Sequence, residues 1–337
     1  MVSVVLPARN AAAVLPAALE SLAAQTLDDV EVLVIDDGSD DGGATKNVAT
    51  SMAGRDRRFR LISRPHEGIA AALNAGLAAA RGRYVARLDA DDVCLPERLE
   101  LQARHLDAHP DIGLVSCRAA YGGDAEACRG YLAHIEWCNA VTTPEAIRQA
   151  IFRESPLPHP TVMFRRELPA LHGGYRQGDF PEDYELWLRW LEGGVVMDKL
   201  PQTLVVWNDP PGRLSRTDPR YAPEAFFRIK AGYLARRLAC INPFHPHIVV
   251  AGAGRVTRRR AELLCDHGIV IDAWLDIDPR KIGLMLGGRP VLHYNDAPGP
   301  QSCFIVPYVG SRGATDVILD RLGAVGFIPG RHCLPAA

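Results

Sequence analysis

The sequence predicts an α/β protein in two parts: a mostly parallel sheet with helices on both faces over residues 1–240, and a smaller α/β domain over 241–337. Three observations carry this. Short apolar runs alternate with helical patterns through the first hundred residues. The runs are apolar along their whole length, as strands covered on both faces must be. Pro243 and Pro246 then interrupt a basic helix within Cys240–His247, and a fresh strand–turn–helix–strand pattern begins after them; such a proline pair favours extended backbone and a boundary. A length of 337 residues also exceeds the usual single domain.

In chain order, Val2–Leu6 reads as a buried strand and Ala11–Ala24 as a helix with Leu15, Leu19 and Leu22 on one side. Glu31–Ile35 is a second strand, followed by a turn-rich acidic stretch through Asp41. Arg60–Ser63 is a short third strand, Ile69–Ala80 an Ala-rich helix ended by Gly82, and Tyr84–Leu88 a fourth strand. Pro96–His109 reads as a helix with proline in its first turn, and Ile112–Cys117 as another strand. Residues 118–180 are expected to hold loops and a mixed extension of the sheet. A basic helix over Tyr221–Ala239 precedes the break. Sheets of this kind place ligands at the carboxyl ends of their strands.

Composition excludes several classes. A formal net charge of −2 gives no field to draw nucleic acid to the surface as a whole. The eight cysteines are scattered without a CxxC pair or zinc-like spacing, which suits free thiols in a reducing cytoplasm. The N-terminus opens directly into a strand, so no signal peptide is expected, and no apolar run reaches the roughly 18 residues that span a bilayer. A cytoplasmic protein follows, with peripheral contact at the inner face of a membrane left open.

The carboxyl ends of three strands are polar. The fourth ends in Asp89-Ala90-Asp91-Asp92, the second in Asp36-Asp37-Gly38-Ser39-Asp40-Asp41, and the first in Pro7-Ala8-Arg9-Asn10. Neighbouring carboxylates repel unless a cation lies between them, and hard oxygen donors suit Mg²⁺ or Mn²⁺ with phosphates as further ligands. Helix capping by Asp91 or Asp92, or an Asx-turn at Asp36–Asp37, explains either cluster taken alone. It explains three polar strand ends on one edge poorly.

Taken together, Val-Ser-Val-Val-Leu-Pro-Ala-Arg-Asn, Val-Ile-Asp-Asp-Gly-Ser-Asp-Asp, and Arg-Leu-Asp-Ala-Asp-Asp with Leu-Pro-Glu-Arg-Leu resemble the inverting family 2 glycosyltransferases of the GT-A fold, over about residues 1–215. The resemblance implies a hexosyltransferase-type enzyme that takes sugar from a nucleotide-diphosphate donor and passes it to a glycan or lipid-linked acceptor, as in cell-surface polysaccharide synthesis. It implies that Pro7, Arg9 and Asp37 line the nucleoside pocket. Asp89 and Asp91 become a DxD pair facing the donor, with Asp91 the direct ligand of Mn²⁺ or Mg²⁺. The turn departs from the more frequent Pro-x-Tyr/Phe-Asn, which leaves the role of Arg9 open.

Inverting transfer needs a carboxylate to take the acceptor proton from the face opposite the diphosphate. Phe180-Pro181-Glu182-Asp183-Tyr184-Glu185-Leu186-Trp187 opens an amphipathic helix and resembles the family's ED motif. That makes Asp183 the base and Glu182 its neighbour in acceptor or sugar contacts; first-turn acids that only favour the helix are the alternative. His159, in His-Pro-Thr-Val-Met-Phe, touches acceptor or leaving phosphate, or makes a structural hydrogen bond. Arg213 and Arg216 lie where the family carries a basic segment that closes on the diphosphate, and arginine suits phosphate geometry.

The last ninety residues open with Ile248-Val-Val-Ala-Gly252-Ala-Gly254-Arg-Val-Thr257 and continue to Asp276 and Asp278. This resembles small Rossmann-type modules, with Thr257 at the third glycine position. Its expected roles are a ligand-binding accessory, an assembly surface for a homo-oligomer, or a degenerate scaffold. Two rival readings remain: an NAD(P)-dependent oxidoreductase or epimerase run by this domain, which lacks a Tyr-x-x-x-Lys pair, and a non-catalytic nucleotide-sugar-binding protein.

Overall fold

The structure, a computed structural model, describes residues 1–210 and 212–337. It comprises two compact units, Met1–Ile147 with Pro156–Asp218, and Arg148–Ser155 with Pro219–Ala337.

In the first unit, β1 (Val2–Ala8), β2 (Val30–Asp37) and β4 (Tyr84–Arg87) are buried along almost their whole length, and β3 (Phe59–Arg64) lies at the edge. Helices α1 (Leu15–Ala23), α2 (Ala44–Arg55) and α3 (Ile69–Ala79) connect them. Then come β5 (Val93–Cys94), α4 (Arg98–Ala108), β6 (Ile112–Tyr121), α5 (Arg129–Ala140) and α6 (Pro144–Ala150), whose residues from Arg148 on belong to the second unit. They are followed by β7 (Met163–Arg165), α7 (Leu168–His172), α8 (Glu182–Glu192), β8 (Val196–Trp207) and α9 (Leu214–Thr217). The eight-stranded sheet runs β3-β2-β1-β4-β7-β6-β8-β5. β3, β2, β1 and β4 are mutually parallel, β7 is antiparallel to both neighbours, and β6 and β8 are parallel to each other. Reversing direction twice across β7 returns β6 and β8 to the direction of β4. The carboxyl ends of β1, β2, β4 and β8 therefore share one edge.

The strands follow the apolar runs closely, because a run covered on both faces has no other stable placement. Three segments differ from the sequence reading. The first helix starts at Leu15, since Asn10 takes φ 50° and the chain turns before it can coil. Helix α2, unrecognised in the acidic stretch, buries only Thr45, Ala49 and Met52, too thin a stripe to show in the pattern. The stretch 118–180, read as loops and sheet, holds three helices and the short strand β7.

Arg98 joins these elements. Fully buried on α4, it donates to Gln102 Oε1 (3.0 Å), Cys94 Sγ (3.8 Å), the Arg87 carbonyl (2.8 Å) and the Val162 carbonyl (3.2 Å). Arg98→Met keeps much of the volume but removes the donor on which these acceptors converge. We expect a loss of about 1–3 kcal/mol and a Tm lower by roughly 3–10 °C in calorimetry; an unchanged Tm would contradict this role.

The second unit contains α10 (Pro223–Ile241), β9 (His247–Ala251), α11 (Arg255–Ala261), β10 (Val270–Asp276), β11 (Met285–Leu286), β12 (Arg289–His293), β13 (Ile305–Pro307) and α12 (Ala314–Ala324). Its sheet runs β11-β12-β10-β9-β13, parallel except for the β11–β12 hairpin. α10 packs on the turn Glu262–His267 of this unit. The compact units thus divide ahead of α10, whereas the Pro243/Pro246 break follows it. Among the described residues no helix is long and apolar enough to cross a membrane.

Candidate active site

The three polar strand ends read from the sequence of the first unit lie at its shared carboxyl edge, because they follow or close β1, β2 and β4. Beyond β4, Asp89, Asp91 and Asp92 each offer a carboxylate oxygen, and these atoms lie within 4.8 Å of one another. The turn is tied to the end of β8: Asn208 N–H donates to Asp92 Oδ1 (2.7 Å), and Asn208 Nδ2 donates to the Asp91 carbonyl (2.7 Å). Neither Asp91 nor Asp92 caps α4, whose N-cap is Glu97 without a side-chain bond. Capping therefore does not account for the cluster.

Two arginines face these carboxylates. Arg87, 3% exposed on β4, pairs with Asp89 Oδ1. Arg213 Nη2 stands 3.9 Å from Asp89 Oδ2, and its guanidinium lies 3.8 Å from the ring centroid of Trp207. The cations serve Asp89 first. Asp91 is pushed up to about 6 by burial and then by the charge of Asp89, with Arg213 and Arg87 opposing. Asp92, fully buried, is held well above the usual carboxylate range by burial and by its two neighbours, and its Oδ2 has no hydrogen-bond partner. Arg216 is placed elsewhere: it pairs with Asp209 and lies over the Tyr131 ring at 4.4 Å.

Of the three residues expected at a nucleoside, Pro7 is buried within β1 beside Ile35. Arg9 is partly exposed and 3.8 Å from Asp40. Asp37 accepts from Glu67 N–H and Gly68 N–H (both 3.0 Å) and contacts His66 Nδ1 at 2.9 Å, so it organises the turn into α3. Gly38 makes this possible: its φ is +66°, and a Cβ would come within 2.5 Å of His66 N.

Glu182 and Asp183 open α8, which buries Leu186, Trp187 and Trp190. The loop before it is clamped. Arg189 binds Glu185 and the carbonyls of His172, Gly173 and Gly174, while Asn74 holds both backbone groups of Tyr175. Asp183 Oδ1 accepts from Tyr184 N–H (2.7 Å), so part of the first-turn role is real. Burial, and then Glu182, raise Asp183 to about 7, with Arg87 opposing and Asp89 adding to the rise. His159 contacts the Tyr175 hydroxyl through Nε2 at 2.8 Å and is kept neutral by burial and then by Arg87.

Arg87 and Tyr175 were missed in the sequence. The signal for Arg87 was a lone arginine in an otherwise apolar strand; Tyr175, in a Gly-rich loop, had none.

The second unit uses its acid internally. Asp276 accepts from Ala253, Ile277 and Asp278 N–H and from Lys281 Nζ. A Cβ on Gly252 would meet Val309 Cγ2 at 2.6 Å and Thr257 Cγ2 at 2.9 Å, so side chains fill the space beside that glycine. The groups that a dinucleotide's ribose and pyrophosphate would meet there are thus engaged by the protein's own atoms.

The first unit's sheet and its acidic edge define a GT-A glycosyltransferase. A sequence model described as Glycosyl transferase family 2 matches residues 3–169, ending before Glu182. The amylovoran biosynthesis glycosyltransferase AmsE of Erwinia amylovora is 35% identical over 190 residues, 56% of this chain and 67% of that protein. EpsE of Bacillus subtilis, which carries a glycosyltransferase name, is 32% identical over 209 residues, 60% of this chain and 71% of that protein. Among solved structures, S. aureus TarS 1–349 has a TM-score of 0.53 at 18% identity, covering 70% of this chain and 65% of that one. Its complex with UDP-GlcNAc has a TM-score of 0.53 at 20% identity, covering 79% and 70%. At these identities the likeness is one of fold. The chain belongs to glycosyltransferase family 2.

Proposed function

We propose that the chain transfers a hexose-type sugar, with inversion, from a nucleotide-diphosphate sugar to a glycan or lipid-linked acceptor of cell-surface polysaccharide synthesis, working in the cytoplasm. The observation that carries this is the convergence of Asp89, Asp91 and Asp92 oxygens within 4.8 Å of one another at the carboxyl edge, with the buried Arg87 paired to Asp89. The named relative AmsE supports the polysaccharide assignment, and the UDP-GlcNAc complex of TarS supports a nucleotide-sugar donor.

The residues fit a hard divalent ion: three carboxylate oxygens converge, and Asp92 Oδ2 is enclosed without a donor. Asp91, with Asp89, would hold Mn²⁺ or Mg²⁺, which when bound would neutralise the diphosphate as it leaves. Arg213 is close enough to Asp89 to turn from the carboxylate to a phosphate oxygen. Pro7, Arg9 and Asp37 border the base and ribose. Asp183 receives the acceptor hydroxyl's proton on Oδ as that oxygen attacks the anomeric carbon, and Glu182 supports acceptor or sugar contacts. His159 acts through Tyr175, holding the wall of the cleft.

A thermal-shift panel tests this reading. We expect stabilisation by UDP, GDP or dTDP that requires Mn²⁺, and release of the nucleoside diphosphate from the matching sugar donor. Stabilisation by NAD without metal, and none by any nucleoside diphosphate, would overturn it.

A further inference from the structure

Arg87 is the group that the proposed chemistry leaves without a task. A guanidinium stays charged under all ordinary conditions, and burying one is costly unless it is paired. Here it stands on the central strand β4, 3% exposed. Its backbone is fixed on both sides: its N–H donates to the Val162 carbonyl (3.0 Å), and its carbonyl accepts from Arg98 (2.8 Å). Only part of the fork is used. One nitrogen pairs with Asp89, while Nε and Nη1 are enclosed without a hydrogen-bond partner. A purely structural arginine would saturate its donors, as Arg98 does. Arg87 instead pairs into the turn after β4, where Asp89, Asp91 and Asp92 oxygens lie within 4.8 Å of one another, and its charge also acts on Asp183 of α8.

We propose that Arg87 is a positioning residue for both halves of the site, fixing Asp89 on the donor side and supplying the positive charge beside which Asp183 works on the acceptor side. This rests on the reading of Asp183 as the base. The groups facing Asp183 are Glu182 on its own helix, Arg87 on β4, Asp89 beyond β4, and Tyr175 in the preceding loop. Arg87 is the one cation among them. Without it, the Glu182 and Asp89 carboxylates act on Asp183 with only the Tyr184 N–H to oppose them, and its proton is released only at higher pH.

The test is a set of pH–rate profiles for wild type, Arg87→Met and Arg87→Lys, measured with saturating Mn²⁺ and the donor the wild type uses. Arg87→Met is expected to lower kcat by about 100-fold, to change the donor KM by less than about threefold, and to move the acid limb of kcat upward by roughly one pH unit. Arg87→Lys, which keeps the charge and loses the fork, returns the limb to its wild-type position while kcat stays reduced. A merely structural arginine would lower kcat at every pH alike and leave the limb unmoved, and that result would overturn the proposal. Should Arg87→Met fail to fold, Arg87→Gln carries the same expectation. A wild type that uses no sugar donor would instead overturn the proposed function itself.

Discussion

Asp183→Asn is expected to bind Mn²⁺ and nucleoside diphosphate like the wild type and to transfer sugar about a thousandfold more slowly, within the range that positioned general bases contribute. The amide keeps the shape of the side chain and can no longer accept the proton. The same substitution makes a stability prediction of opposite sign. The folded-state pKa of Asp183, about 7, lies above that of an exposed aspartate. Its ionised form therefore costs the fold stability at pH values above 7, and that cost disappears as the pH falls and the group takes up its proton. The neutral Asn escapes it, so the ligand-free variant should melt no lower than wild type at pH 8. Titration of turnover in the wild type should show the complementary loss on the acid side of pH 7. A variant with near-normal transfer, or one that fails by unfolding, would remove Asp183 from the chemistry.

Asp91→Ala carries the second large effect, on binding instead of proton transfer. Asp89 is already engaged by Arg87 and Arg213, and Asp92 is tied to Asn208. Among the described residues, Asp91 is the carboxylate of the three whose side chain is held neither by an ion pair nor by a hydrogen bond from another residue. Its removal should weaken Mn²⁺ binding, read by electron paramagnetic resonance, by roughly two orders of magnitude. Calorimetry should show the metal-dependent part of nucleoside diphosphate affinity lost with it, while any metal-independent binding through Asp37 and the β2 turn persists. Asp91→Ala with unchanged Mn²⁺ affinity would mean that the acidic turn serves the fold alone.

The two substitutions differ in what they leave behind, and this separates the donor side from the acceptor side of the cleft. That separation is legible only in part from the chain. Strands β1, β2 and β4 emerge from the sequence within a few residues, because unbroken apolar runs followed by Asp, Asn and Gly turns have few other placements. The acidic turns are legible for the same reason: a polar residue directly after a buried strand must lie at its carboxyl edge. What sequence cannot supply is the pairing of distant segments. Arg213 was recognisable as part of a basic stretch, but its position against Asp89 and Trp207 depends on β8 running parallel to β6. Arg216, in the same Gly212–Arg216 stretch, faces Asp209 instead. Helix α2 escaped notice because so little of it is buried. Arg87 was hidden by its setting, since a strand pattern reads apolar residues and passes over the single charge within it.

The second unit shows the converse. Its glycine-rich turn and Asp276 match a nucleotide-binding pattern in sequence, yet the acid is consumed by its own loop and Lys281. Pattern alone does not distinguish an acid waiting for a ribose from one already satisfied.

In the proposed enzyme one cleft holds a cation-bound diphosphate on the Asp89–Asp91 turn with Asp183 across the sugar from it. Crystals soaked with Mn²⁺ and the best nucleoside diphosphate from the thermal-shift panel measure this directly through the manganese anomalous signal. A single strong peak is expected in coordination distance of an Asp91 oxygen, with the diphosphate against the ion and Asp183 facing the open side. Manganese bound away from that turn, or a nucleotide seated outside the β1–β2–β4 edge, would contradict it.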